Sequence, residues 1–262
     1  MNLEPGTFNP SAMTRRCMDA LRPVTNFLLP PVCLSCDSSV ASQGGLCGEC
    51  WSSLRHIDKP WCSVLGTPFT HDLGSAAISA PAIAEPPVFD RARSVVLYDD
   101  VARRLVRALK FSDRTDLAPW LAAAMVQFAR RSEPSLIDDN PLVVPVPLHR
   151  RRLLSRRFNQ SAELARAIAR ETGSPYVHMV LTRVRATRQQ VGLGKKDRRK
   201  NVRGAFRVPL EMKARVDGAH ILLIDDVFTT GATLDACARA LKRAGARQID
   251  CLTYARVAPG DL

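Results

Sequence analysis

ILLIDDVFTTGAT, residues 221–233, decides the reading of this chain. Four aliphatic residues run into two adjacent aspartates, Asp225 and Asp226, and then into a short loop of threonines around one glycine. The helical pattern ATLDACARALKRAG (232–245) follows directly. An apolar run of this length reads as a buried strand that ends at the acid pair and feeds a helix. In open parallel sheets, ligands bind beyond the carboxyl ends of such strands. The first N–H groups of a helix lack internal acceptors and carry partial positive charge, which suits a phosphate. Gly231 lets the backbone approach closely, and Thr229, Thr230 and Thr233 add hydroxyl donors beside Ala232. Two carboxylates about one phosphate-width away can accept hydrogen bonds from a diol. A ribose 5-phosphate has that layout. The plainer reading is an ordinary strand–loop–helix with capping threonines. A single aspartate would favour it, and two consecutive acids after four aliphatics do not.

Working outward, strands alternate with helices. ARSVVLYDD (92–100) reads as a strand, and VARRLVRALKF (101–111) as an amphipathic helix with Val101, Leu105 and Leu109 on one face. APWLAAAMVQFARR (118–131) is a second helix and PLVVPVPL (141–148) a buried strand. NQSAELARAIARETG (159–173) is a third helix, with Gly173 as its stop. QIDCLTYARV (248–257) contains a last strand. This order predicts an α/β domain with a parallel sheet over 88–262. Ahead of it stand a helical segment (1–30, with Met13, Cys17, Leu21, Val24 and Leu28 at helical spacing), a cysteine-rich module (31–70) and an Ala/Pro/Ser linker (71–87). No internal repeat is visible.

The 262 residues carry a net charge of +13, placed unevenly. From Pro145 to Arg215 there are 19 Lys+Arg against 4 Asp+Glu, and elsewhere 19 against 21. So concentrated an excess points to a polyanionic partner, either nucleic acid or a phosphate-rich small molecule. No apolar run approaches the ~18–20 residues of a membrane-spanning helix. A signal peptide fits badly at the N-terminus, where Asp19 and Arg22 interrupt the apolar part, so a cytoplasmic protein is expected.

Five of eight cysteines fall between Cys33 and Cys62. In a chain without an export signal, that clustering favours metal over disulfides. Cys33-x2-Cys36 and Cys47-x2-Cys50 suit one tetrahedral, structural zinc. Cys62 has Leu65 and no thiol three positions on, so a packed or free Cys62 is expected, and whether it joins a metal site is left open.

The acid pair and its T-T-G-A-T loop resemble the phosphoribosyl pyrophosphate (PRPP) motif of type I phosphoribosyltransferases. The wider sequence resembles the ComF family of competence-associated proteins in YDDVARRLVRALKFSDRTDLA (98–118), VPVPLHRRRLLSRRFNQSAELA (144–165), RVRATRQQVGLGKKDRRKNVRGAFRV (183–208) and the cysteine-rich head. The resemblance spans about residues 30 to 257. It implies that Asp225 and Asp226 contact the ribose hydroxyls and that Thr229, Thr230, Gly231, Ala232 and Thr233 hold the 5-phosphate. It also implies that Arg150, Arg151 or Arg152 lie near the leaving pyrophosphate, and that Arg188 to Asn201 form a mobile loop closing over the site. On that loop Lys195, Lys196, Arg198, Arg199 and Lys200 are candidates for phosphate contacts, with Gly192 and Gly194 giving hinge freedom.

Such a site could transfer a phosphoribosyl group, with Mg²⁺ bridging pyrophosphate and ribose oxygens. No segment announces an acceptor pocket. A different class of function uses the same basic segment to grip single-stranded DNA, with Phe158, Phe206 and Tyr176 for stacking. A third is an adaptor that docks a competence helicase through the zinc module. The scarcity of aromatic residues favours a nucleotide-like ligand.

Overall fold

A computed structural model of the chain describes residues 30–42, 44–111, 117–149, 153, 158–185 and 195–258, with the backbone alone at Phe111, Lys195, Lys196, Arg198 and Arg199. The expected helix at 13–29, the arginines 150–152, and Gly192 and Gly194 lie outside the described residues.

Four parallel strands form the central sheet in the order β1-β6-β5-β2: β1 (Arg91–Leu97), β2 (Leu142–Pro145), β5 (His220–Phe228) and β6 (Gln248–Arg256). The inner strands β5 and β6 are buried along most of their length because both faces of the sheet are covered, and β5 reads as an apolar run up to the acid pair. Alternate residues serve alternate cores. Leu222, Ile224, Leu252 and Tyr254 pack in one cluster, and Ile221, Leu223, Ile249 and Cys251 in the other.

The first face is covered by α3 (Asp100–Phe111), α4 (Leu117–Arg131) and α5 (Gln160–Thr172). Val101, Leu105 and Leu109 are all buried, as the helical spacing predicts. Helix α5 begins at Asn159, whose side chain accepts from Ser161 N–H, and ends at Gly173 in the left-handed conformation. The second face carries α6 (Lys195–Val202) and α7 (Ala232–Arg243), together with a small antiparallel pair, β3 (Thr182–Arg183) and β4 (Phe206–Arg207).

Two expectations change. The strand does not stop at the acid pair: β5 runs two residues further, to Phe228, because β6 still pairs with it at Val227↔Ala255 and Phe228↔Arg256. The second half of the expected mobile loop, from Lys195, is helical, and its last residue Val202 is buried in the second core.

The cysteine-rich head is an internal repeat that the sequence hides. An antiparallel bridge Val32↔Ser39 surrounds Cys33, and Trp61↔Pro68 surrounds Cys62. The backbone bonds recur 29 residues on: Cys33 N to Ser38 O and Cys62 N to Thr67 O, Asp37 N to Cys33 O and Gly66 N to Cys62 O, Val40 N to Pro31 O and Phe69 N to Pro60 O. Each hairpin is followed by a short helix, α1 (Gly48–Ser53) or α2 (Ala80–Ala84), with Cys47 and Ser79 in the equivalent N-cap positions. The head also covers the sheet's edge. Ala92 N–H donates to Val64 O, Ile57 N–H to Val95 O, and Leu97 N–H to Arg55 O, which occupies edge groups of β1 that would otherwise invite another strand.

Candidate functional site

Strand β2 leaves the sheet just beyond its pairing of Pro145 with Ile224, where Val146 N–H still donates to Ile224 O. The next residues of β5 are Asp225 and Asp226, so the acid pair has β6 on one side and, among the described residues, no paired strand on the other. Asn159 holds the departing chain through Nδ2 to Val146 O (3.1 Å) while its Oδ1 caps α5. The cap presents Ser161, whose Oγ donates to Asp225 Oδ1 at 2.8 Å; Asp226 N–H donates to the same oxygen at 3.0 Å.

Asp226 has a different partner. Lys110 Nζ, in the last turn of α3, lies 2.7 Å from its Oδ2 in a largely buried ion pair that is not aligned as a hydrogen bond. The two acids therefore sit in unequal environments. Removal from water, reinforced by the charge of Asp226, pushes the Asp225 carboxyl up to about 7; Ser161 and Lys110 only partly offset this. Gln160, next to Ser161, keeps a buried Oε1 with no hydrogen-bond partner among the described residues, an arrangement that costs free energy unless something else supplies a donor.

Five residues after Asp226, the loop turns. Gly231 has φ +75°, and a Cβ there would lie 2.8 Å from Phe228 Cζ, so both backbone and space demand glycine. Thr230 Oγ1 accepts from Ala232 N–H, and α7 starts at Ala232 with its leading N–H groups toward the loop. Thr229 and Thr230 are half-buried, as is Thr233. A helix start of this kind can cradle an anion, and two adjacent acids can hold a diol.

Of the residues expected at the site, the structure brings together Asp225, Asp226, Thr229, Thr230, Gly231, Ala232 and Thr233. Lys195, Lys196 and Arg198 are placed on α6, which packs beside α7. Sequence reasoning missed Ser161 and Lys110. Both lie inside quoted family segments, but only the fold puts them on the acids. The candidate stacking residues stand differently: Phe206 is buried under the Arg183 guanidinium, and Phe158 and Tyr176 are half-buried.

In the head, Cys33, Cys36, Cys47 and Cys50 place all four sulfurs within 4.8 Å of one another. Ligand sulfurs around a zinc with Zn–S bonds of ~2.3 Å stand about 3.8 Å apart, so the set fits a closed structural site. N–H groups of Ser35 and Cys47 point at Cys33 Sγ, and that of Cys50 at Cys47 Sγ. The bond from Cys50 brings the Cys47 thiol down to about 6, toward the thiolate a metal needs. Burial pushes Cys50 up to about 12, a penalty that a bound cation would remove.

The second hairpin keeps one of these four residues. Following the repeat, Cys33, Cys36, Cys47 and Cys50 correspond to Cys62, Leu65, Ser79 and Ala82. The bond from Cys47 N–H to Cys33 Sγ recurs as Ser79 N–H to Cys62 Sγ (3.2 Å), joined by Ser79 Oγ (3.3 Å) and Leu65 N–H (3.3 Å). Three donors satisfy the sulfur where a metal would sit in an intact ribbon. Cys62 is packed, as expected. The residues expected as linker, 71–87, include α2 and this Ser79 contact.

Fold and site together define a phosphoribosyltransferase-type α/β domain carrying an N-terminal zinc-ribbon-like head. Residues 159–260 match the phosphoribosyl transferase domain family and residues 24–80 the double zinc ribbon domain family. The chain is 35% identical over 230 residues to the DNA utilization protein YhgH of Salmonella typhimurium, covering 86% of this chain and 97% of that protein. It is 26% identical over 228 residues to competence protein F of Haemophilus influenzae, covering 86% and 96%. Against competence protein ComFC of Bacillus subtilis it is 26% identical over 228 residues, covering 82% and 90%. The chain belongs to the ComF family, which these relatives share. Among the described residues, no helix is long and apolar enough to cross a membrane.

Proposed function

We propose that this protein binds PRPP or a related ribose 5-phosphate at the carboxyl end of β5 and works in DNA uptake or utilisation, as the names of its relatives indicate for them. The observation that carries the reading is the pairing of two unequally partnered acids with a helix start turned by Gly231, five residues after Asp226. Asp225, hydrogen-bonded by Ser161, and Asp226, balanced by Lys110, would receive the ribose hydroxyls. Thr229 to Thr233 would receive the 5-phosphate on N–H and hydroxyl groups.

Pyrophosphate on the ribose would extend toward the segment after β2, where Arg150 and Arg151 stand in sequence, and Lys195, Lys196 and Arg198 on α6 are proposed to close over it. Mg²⁺ would arrive with the substrate phosphates, since it favours few protein ligands and keeps substrate oxygens in its shell. Transfer of the phosphoribosyl group to an acceptor is the chemistry such a site supports, through stabilisation of the departing pyrophosphate and exclusion of water. Boundaries at 30, 70 and 87, with the phosphoribosyltransferase-type domain over 88–262, are part of this proposal. The burial of Phe206 supports the nucleotide reading over a single-stranded-DNA stacking platform.

The test is calorimetric titration with PRPP and Mg²⁺ of the wild type and of Asp225→Asn/Asp226→Asn. Wild-type binding that the double variant loses is expected. A folded wild type that binds no PRPP would sink the reading and return single-stranded DNA to first place.

A further inference from the structure

Behind the phosphate loop lies a cavity of about 840 Å³. Its wall includes Thr229, Thr230, Gly231 and Ala232 but neither Asp225 nor Asp226, so the loop separates the ribose side from this space. The cavity runs along α7 between the end of α6 and the residues before β1. Pockets of several hundred Å³ hold drug-sized ligands, and a pentose phosphate lying over the acids leaves this one unfilled.

Its lining has two characters. Phe89, Phe206 and Phe228, with neighbouring prolines, line an apolar wall; with Phe206 under Arg183 and Phe228 under Arg256, it offers apolar contact and not an open stacking face. Lys200, Arg203, Arg239 and Arg243 make a rim more basic than its two acids, Glu85 and Asp235, can balance. Inside, Arg256 is 3% exposed, lies 4.9 Å over the Phe228 ring and donates to Leu65 O and Thr67 Oγ1. Among the described residues no carboxylate pairs with it, so its charge remains available to an anion.

We propose that this cavity receives the remainder of a ligand whose ribose 5-phosphate rests on Thr229–Ala232 and is joined by a phosphoanhydride to the phosphate of a second nucleotide. The ligand class is a diphosphate-linked nucleotide, its second phosphate on the arginine rim and its base against the phenylalanine wall. This deepens the ribose-phosphate reading and rests on it. PRPP cannot use the cavity, because its extra phosphates leave from the other end of the sugar.

The probes are ribose 5-phosphate and ADP-ribose, which is the same sugar phosphate extended through its 5-phosphate. Both are titrated into the wild type and into Arg239→Glu/Arg243→Glu, two exposed positions outside the phosphate loop, with melting curves confirming equal folding. ADP-ribose should bind at least about tenfold tighter than ribose 5-phosphate to the wild type. The double variant should lose that gain while holding ribose 5-phosphate within about twofold. Equal affinities in the wild type, or a gain that survives charge reversal, overturn the cavity site and leave the ribose-phosphate reading intact. Binding of neither probe overturns both.

Discussion

Lys110 Nζ stands 2.7 Å from Asp226 Oδ2, joining the last turn of one helix to the end of a strand 116 positions later in the chain. The pair leaves Asp226 neutralised before any ligand arrives, while Asp225 relies on Ser161. Removing one member of a buried pair strands the other charge. Lys110→Met should therefore cost about 2–3 kcal/mol in urea unfolding at pH 8. It should also push the Asp225 carboxyl higher still, since Lys110 holds it down. Unchanged stability would show that the pair is not formed in solution.

Asp225 makes stability depend on pH. Its native carboxyl titrates near 7 against an ordinary value of 3.8, so the folded state holds a proton that the unfolded state releases. That stabilisation is complete below about pH 4 and is lost as pH rises through 7. The ligand-free wild type should lose on the order of 1–3 kcal/mol from this group between pH 4 and pH 8. Asp225→Asn should flatten the slope, which denaturant melts across that range would reveal.

Gly231→Ala forces a left-handed alanine against the Phe228 ring. A loss of about 1–2 kcal/mol in stability is expected, with weaker phosphate binding because the loop must shift. A variant with wild-type stability and affinity would mean that the turn is not held as described.

Metal analysis of freshly purified, reduced protein should find about one zinc per chain, lost in Cys36→Ser/Cys47→Ser. Leu65→Cys/Ser79→Cys/Ala82→Cys should raise the count to about two, because these positions repeat the ligands of the first hairpin around Cys62. A count that stays at one would show the second hairpin too altered to close on a metal.

Most elements were legible locally, because apolar spacing of 3.6 or 2 records which face a segment buries. The run before Asp225, the helix bearing Val101, Leu105 and Leu109, and the stop at Gly173 all follow from it. Strand ends were less legible: β5 reaches Phe228 because β6 continues beside it, and pairing partners are not written in the strand itself. The ribbon repeat was invisible because three of four metal-position residues differ between its halves; only backbone hydrogen bonds preserve it.

By itself, then, the sequence determined the parallel α/β class, the acid pair with its phosphate loop, and the four cysteines, since each is a contiguous pattern whose chemistry needs no distant partner. The tertiary structure alone decided that Ser161 serves Asp225, that Lys110 serves Asp226, and that Ser79 serves Cys62. Those contacts join residues 64, 116 and 17 positions apart. Serines and lysines are common on any surface, and a functional one is told from its neighbours only when packing brings it to a buried charge or sulfur.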